Sequence, residues 1–183
     1  MSKKRKKRSE STLAALLRDK QRRGRPPREV SRQNVYVELS KEQKTLLTDI
    51  AGRLPEDFVR ADVPDLAVMV LAARIERLRR AVAGRTREIP EGVTDMESLY
   101  LLWDLPLHEF ENVERWTTVR LSPQQAIELG RVHGTLNALF GATRSEVFSL
   151  ALTLLNNFVA NDLDERSPTT LLDMHTYILD IFL

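Results

Sequence analysis

The sequence predicts a mainly α-helical protein that contains one short two-stranded antiparallel ribbon. A pattern of a few alternating residues, a helix start, an amphipathic helix and a more apolar helix occurs twice, with Val119 following Val37 by 82 positions. A strand this short needs a partner for its backbone groups and a cover for its apolar face. We therefore expect the two strands to pair with each other.

The two candidate strands read VYVEL, from Val35, and TTVRL, from Thr117. Side chains alternate between the two faces of a strand, so each segment has one less polar row. These inward rows are Val35, Val37 and Leu39, and Thr117, Val119 and Leu121. The outward rows are Asn34, Tyr36 and Glu38, and Trp116, Thr118 and Arg120. Around a pseudo-two-fold, the expected pairs are Tyr36 with Thr118, Asn34 with Arg120, and Glu38 with Trp116.

Both strands run directly into a helix start. Ser40 is a helix cap with Gln43 at the position that a capping box requires. Ser122 can cap the second helix, whose first turn accepts Pro123. Amphipathic helices are predicted over 41–54 and 123–140, the latter with its inward face formed by Leu129, Val132, Leu136 and Leu139.

The helices that follow are apolar on most sides. The first is expected over 64–82, capped by Asp62 or a neighbour and ended by Gly84, and the second over 145–160, capped by Thr143. A helix that is apolar nearly all round has to be buried. We therefore expect these two helices to pack on each other at the centre of the molecule.

Composition divides the chain into five segments. They are a basic tail (1–32), a first repeat (33–84), a connector with a short helix at 95–103 (85–115), a second repeat (116–161), and a C-terminal helical segment (162–183). Ser167-Pro168 or Thr169 is the expected cap of that last helix. The tail is too polar to form a core by itself, although 12–20 can form one or two helical turns.

Charge is distributed unevenly along the chain. Residues 1–32 contain 13 Lys and Arg against 3 acidic residues, a charge of +10, whereas the remaining residues contain 15 against 23, a charge of −8. No apolar run approaches the roughly 20 residues of a membrane span, and no apolar core follows the basic start. We expect a cytoplasmic, nucleoid-associated protein without membrane partners.

The sequence contains little that favours an enzyme or a cofactor. The absence of cysteine excludes disulfides, thiolate zinc sites and thiol nucleophiles. None of His108, His133 and His175 belongs to a metal-ligand or nucleophile motif. The acidic run at 162–165 follows one predicted helix and precedes another, which indicates a solvated loop. We expect no catalytic residues, metal or cofactor.

The repeated order of strand, amphipathic helix and buried helix resembles the ribbon-helix-helix DNA-binding fold, the group of the Arc and Met repressors. The segments that carry the resemblance are VYVELSKEQ with VPDLAVMVLAARI, and TTVRLSPQQ with TRSEVFSLALTLL. In that family two chains pair their strands into a ribbon that enters the major groove. Two copies in one chain imply a single-chain pseudo-dimer over 34–83 and 116–160; further self-association of pseudo-dimers stays open.

The resemblance implies that the outward ribbon residues face base edges of double-stranded DNA. Arg120 suits a guanine edge and Asn34 an adenine edge, whereas Glu38 is repelled by phosphate unless it accepts from a cytosine amino group. Glu38 and Trp116 differ from the small polar or basic side chains expected there. The alternative is a ribbon that serves only as a dimerisation scaffold.

Two further sites follow from resemblance. Thr143, Arg144 and Ser145 are similar to the family's second-helix start, where backbone N–H groups meet a phosphate. The tail segment RRGRPPR resembles an AT-hook, whose core stands here as Arg23, Gly24, Arg25 and Pro26. Its two arginines would lie in a narrow A·T minor groove; the alternative is nonspecific phosphate contact.

The sequence therefore predicts a non-enzymatic DNA-binding regulator or DNA organiser. The rival hypothesis is an adaptor of the plasmid-segregation or antitoxin type, whose tail or C-terminal helix binds a protein partner. Exposure of the apolar residues of the last helix would favour the adaptor. Those residues are Leu171, Leu172, Ile178, Ile181 and Phe182.

Overall fold

The computed structural model describes residues 31–86, 89–107, 116–163 and 168–183. This part of the chain is mainly helical, with one two-stranded antiparallel sheet. Its elements are β1 (Gln33–Glu38), α1 (Lys41–Arg53), α2 (Val63–Ala81), α3 (Met96–Leu102), β2 (Trp116–Leu121), α4 (Pro123–Phe140), α5 (Arg144–Asn161) and α6 (Leu171–Phe182). The hook-like segment, the helical turns predicted over 12–20, His108 and Ser167 lie outside the described residues.

The two strands pair with each other in the predicted register. Tyr36 is opposite Thr118, Asn34 is opposite Arg120, and Glu38 is opposite Trp116. The inward face is covered by the helices, with Val37, Leu39, Val119 and Leu121 buried and Val35 and Thr117 half-buried. The alternation is preserved because a slip of one residue would turn the apolar row towards solvent.

Side-chain caps begin the helices that follow the strands. The Ser40 hydroxyl accepts from the Gln43 N–H, and the Gln43 side chain accepts from the Ser40 N–H at 2.9 Å, which completes the predicted capping box. Ser122 accepts from the Gln125 N–H. Thr143 forms a second capping box with Glu146 at the start of α5. These bonds satisfy donors that a helix end would otherwise leave without partners.

The two apolar helices pack on each other, as predicted. Nine consecutive residues are buried in α2 (63–71) and nine in α5 (147–155). Helix α2 also contacts α4 and α6, while α1 packs on α5. One continuous core therefore includes residues from both repeats.

Three details differ from the sequence predictions. Asp62 precedes α2 but makes no capping bond, because its carboxylate accepts from the Val59 N–H and from Arg32. Helix α2 ends at Ala81, one residue before the predicted end at Val82, and Gly84 follows with a left-handed φ of 87°. Leu139 is 46% exposed, because α4 continues beyond the core after the buried Leu136.

The C-terminal helix packs on the body. Thr170, and not Thr169, caps α6 by accepting from the Asp173 N–H. Ile178 and Phe182 are buried, and the guanidinium of Arg74 lies 4.0 Å from the centre of the Phe182 ring. In the described part of the chain, no single helix has the length and apolarity to cross a membrane.

Candidate nucleic-acid interface

The outward face of the ribbon is open to solvent. Asn34, Thr118 and Arg120 are exposed, and two aromatic rings join them, with Tyr36 62% and Trp116 68% exposed. Glu38 is half-buried at the edge of this face. Large aromatic residues are usually covered in a folded protein, so two of them on one small surface indicate a contact surface.

Arg120 and Asn34 are paired across the ribbon. The Arg120 Nε donates to the Asn34 Oδ1 over 3.3 Å, and both side chains are exposed. A guanidinium has five N–H donors, so this bond leaves its terminal amino groups free to meet a base edge. The pair therefore presents a forked donor beside an amide, which is the chemistry that distinguishes guanine and adenine edges.

At the Glu38 end of the ribbon, the start of α5 is exposed, and the Glu146 carboxylate accepts there from the Thr143 N–H over 2.6 Å and from the Thr143 hydroxyl over 2.8 Å. The Glu38 N–H donates to the Ser145 Oγ over 2.9 Å, which fastens the strand to the helix. Thr143 and Arg144 are exposed beside it. Burial, and then the nearby Arg144 charge, lower the pKa of His133 on α4. Because the Ser145 hydroxyl accepts the bond from the Glu38 N–H, its own O–H and the Ser145 N–H can both still donate to the predicted phosphate.

At the Asn34–Arg120 end, the start of α2 is closed by an ionic cluster. The Arg32 guanidinium lies 2.5 Å from the Asp62 Oδ1 and 3.1 Å from the Asp65 Oδ2, and it also donates to the Ala61 carbonyl. It reaches the Arg120 carbonyl at 3.3 Å. This cluster ties the first residues of the ribbon to α2.

Asp65 is the buried member of this cluster. Its side chain is 1% exposed, and its Oδ1 accepts from the Ser122 N–H over 2.8 Å. Burial raises the pKa of Asp65, and the bond from Ser122 and the charge of Arg32 oppose that rise. Because Pro64 lacks an N–H and Val63 is fully buried, this helix start offers an external anion little access.

Sequence reasoning placed Arg32 in the tail and did not identify this cluster. The available signal was a pair of acidic residues, Asp62 and Asp65, at the start of an otherwise apolar helix. Carboxylates are rarely buried without a cation. Their counter-ion is 33 positions from Asp65 along the chain, so spacing alone did not indicate which arginine would pair with them.

The two repeats also differ beneath the ribbon. The buried Gln43 donates through its Nε2 to the Ser149 Oγ of α5. Gln125 occupies the corresponding position in the second repeat and is also buried, but its Oε1 has no hydrogen-bond partner within the described residues. The two equivalent positions of the sequence repeat therefore differ in their polar contacts.

A groove of about 1020 Å³ opens between α2, α4 and α6, beside the ionic cluster. Its apolar lining includes Met69, Leu179 and the exposed Leu172. Polar groups of its wall include Gln125 and the ion pair of Arg131 with Glu128, joined at 2.9 Å. The groove lies to one side of the ribbon and includes none of its outward residues.

Replacing Arg32 by Ala should destabilise the fold by about 3 kcal/mol. The change leaves Asp62 and the buried Asp65 without their cation, and breaking a buried pair typically costs this much. Chemical denaturation measures the effect, with Arg60→Ala, in the exposed loop before α2, as the matched control. Equal stability of the two variants would show that the cluster contributes little to folding.

No group of histidines and acidic residues within the described ranges is arranged to hold a metal ion. Comparison with known proteins found no matching family model, no matching curated protein and no matching solved structure.

Proposed function

We propose that this chain is a tandem ribbon-helix-helix protein that binds double-stranded DNA, as a non-enzymatic regulator or DNA organiser. The observation that supports this most directly is the pairing of β1 with β2. It unites strands from both repeats in one ribbon with an open outward face, above helices that share one core.

The shape of the ribbon suits the major groove. The major groove of B-DNA is about 12 Å wide and admits a two-stranded ribbon, whereas the minor groove is only about 6 Å wide. With the apolar rows covered by helices, only the outward residues meet the bases. Arg120 would read guanine and Asn34 adenine, and Glu38 would accept from a cytosine amino group.

Charge supports a division of labour between the ribbon and the tail. The chain beyond residue 32 has a charge of −8, so on average DNA repels it, whereas residues 1–32 carry +10. The basic arm would provide affinity through phosphate contacts, and the ribbon would provide site preference. Arg144 and Ser145 would position the body on one phosphate, and the predicted contact of Thr143 would require Glu146 to release the Thr143 N–H or hydroxyl.

The adaptor hypothesis loses part of its support. Ile178 and Phe182 are buried and Leu171 and Ile181 are half-buried, so most of the apolar face of α6 is already covered. Leu172, at 75% exposure, and the groove beside it remain as a surface for a protein partner. Leu172→Asp should leave DNA affinity unchanged under the regulator hypothesis.

Arg120→Ala should weaken binding to a preferred site by roughly 1 to 3 kcal/mol while nonspecific binding stays nearly unchanged. The loss arises because a base contact discriminates between sequences, whereas a phosphate contact does not. Titrations against a selected duplex and an unrelated duplex measure the affinity for the preferred site and the affinity for nonspecific DNA.

Arg77→Ala is the matched control for that experiment. Arg77 is exposed. It follows Val63 by 14 residues in α2, which places it about 20 Å from the ribbon end of the helix. It should alter neither affinity. An equal loss on both duplexes for Arg120→Ala would reduce Arg120 to a phosphate contact.

A further inference from the structure

The groove between α2, α4 and α6 follows α2 along most of its length. Helices α4 and α6 both pack on α2 but hardly contact each other, and the groove of about 1020 Å³ is the space between them. Its volume is at the upper end of the range that is typical of small-molecule sites. The α2 residues that line it recur at helical spacing and form one stripe, which consists of Asp65, Met69, Ala72, Ala73, Glu76 and Arg80.

The charged side chains around this groove are paired with one another. A charged ligand would have to compete with these ion pairs, whereas an uncharged ligand would leave them intact. The middle of the groove is apolar, with Met69 and Ala72 on one side and Leu179 on the other. The groove therefore suits an uncharged molecule. The ion pairs are Arg32 with Asp62 and Asp65, Arg131 with Glu128, and Arg80 with Glu76.

The two repeats place equivalent glutamines in the first turn of the helix that follows each strand. In the first repeat, the Gln43 Oε1 accepts from the Ser40 N–H over 2.9 Å. In the second repeat, the Ser122 N–H donates instead to the Asp65 Oδ1 over 2.8 Å. Asp65 thus takes the bond that Gln125 would make by analogy with Gln43. As a result, the Gln125 Oε1 has no hydrogen-bond partner within the described ranges.

Gln125 forms part of the wall of the groove, and only 5% of its surface is exposed. An amide oxygen that is buried without a hydrogen bond destabilises the fold. The last torsion of a glutamine side chain has a broad energy minimum, so the amide can turn its oxygen towards the groove at little cost. Since an amide oxygen only accepts hydrogen bonds, the molecule that satisfies it has to carry a donor.

We propose that this groove binds an uncharged, mainly apolar small molecule whose N–H or O–H group donates to the Gln125 Oε1. The apolar body of the ligand would lie against Met69, Ala72 and Leu179. A protein partner would first meet the exposed Leu172, whereas Gln125 is almost covered, so the free acceptor favours a small ligand. The site includes none of the outward ribbon residues, and the inference therefore does not depend on the proposed DNA binding.

Indole and N-methylindole are matched probes for this site, because they share one apolar ring system and only indole has an N–H donor. The isotope-labelled full chain is titrated with each probe and observed by two-dimensional NMR. Indole should bind about tenfold more tightly, because N-methylindole leaves the acceptor without a bond. The side-chain amide signals of Gln125, identified by their absence from the spectrum of Gln125→Met, should shift during the indole titration.

Three variants locate the contact. Gln125→Met removes the acceptor while retaining the length of the side chain, and it should bind the two probes alike. Gln124→Met is the matched control, because Gln124 is the exposed neighbour on the same wall, and it should keep the preference for indole. Ala72→Leu narrows the groove and should abolish the binding of both probes. Circular dichroism verifies that each variant is folded.

Three results would each overturn the proposed site. They are equal affinities of the unaltered chain for the two probes, no binding of indole up to its solubility limit, and a preference for indole that Gln125→Met retains. None of them bears on DNA binding by the ribbon, which the duplex titrations test separately.

Discussion

Replacing Leu152 by Asp should unfold both repeats together in a single transition. Leu152 is 0% exposed at the centre of α5, which packs on α2 of the other repeat. A carboxylate at this position would be buried without a partner, and a change of this kind costs more than most domains can lose. Circular dichroism during thermal unfolding should show loss of the native fold at ordinary temperatures.

Two further variants locate the effect. Val70→Asp introduces the same change in α2, where Val70 is 1% exposed, and should produce the same outcome from the first repeat. Ile127→Asp, on the exposed face of α4, should be nearly neutral. If either buried variant instead melts in two separate steps, with one half unaffected, the repeats are independent domains and the pseudo-dimer is wrong.

Removing residues 1–30 should weaken binding to all DNA on the order of 100-fold or more and flatten its salt dependence. These residues contain 12 Lys and Arg against 3 acidic residues. Each phosphate neutralised contributes about −0.9 to the slope of log K against log salt. The magnitude of this negative slope should therefore decrease by several units. Preference among core sites should survive, because the ribbon supplies it.

The truncation stops at residue 30 because Arg32 belongs to the fold. A deletion through residue 32 would remove the cation of Asp62 and Asp65 and confuse instability with lost affinity. A scrambled tail of the same composition is the matched control. It should retain the salt slope and lose any preference for A·T-rich flanks. An unchanged slope after truncation would give the tail another role and favour the adaptor.

The strand pair and its register were predictable because two constraints agree. Alternation specifies which face of each strand is covered, and the internal repeat specifies which residues stand opposite each other. The helix starts after Ser40 and Ser122 follow from local capping chemistry, as does α3, where Asp95 and Ser98 form a capping box. These features depend on neighbours within a few residues, which the sequence displays directly.

The structure differs from the sequence predictions where contacts between residues that are distant in the sequence determine the local structure. Asp62 has the position of a cap, yet Arg32, 30 residues away, and the Val59 N–H bind its carboxylate. Leu139 fits the apolar spacing of α4, but it lies beyond the part of that helix that the core covers. The difference between the start of α2 and the start of α5 also depends on long-range contacts of this kind. The outward ribbon residues were predictable as a surface, whereas their contacts with DNA stay a prediction.

Selection of bound duplexes from a randomised DNA library is the most direct test of the central claim. The purified full-length protein is compared with the Arg120→Ala variant under the same salt. A major-groove ribbon predicts that one short motif is enriched and that the variant loses preference at one position within it. A protein that enriches no motif, or a variant whose motif is identical to that of the full-length protein, would contradict readout by this ribbon.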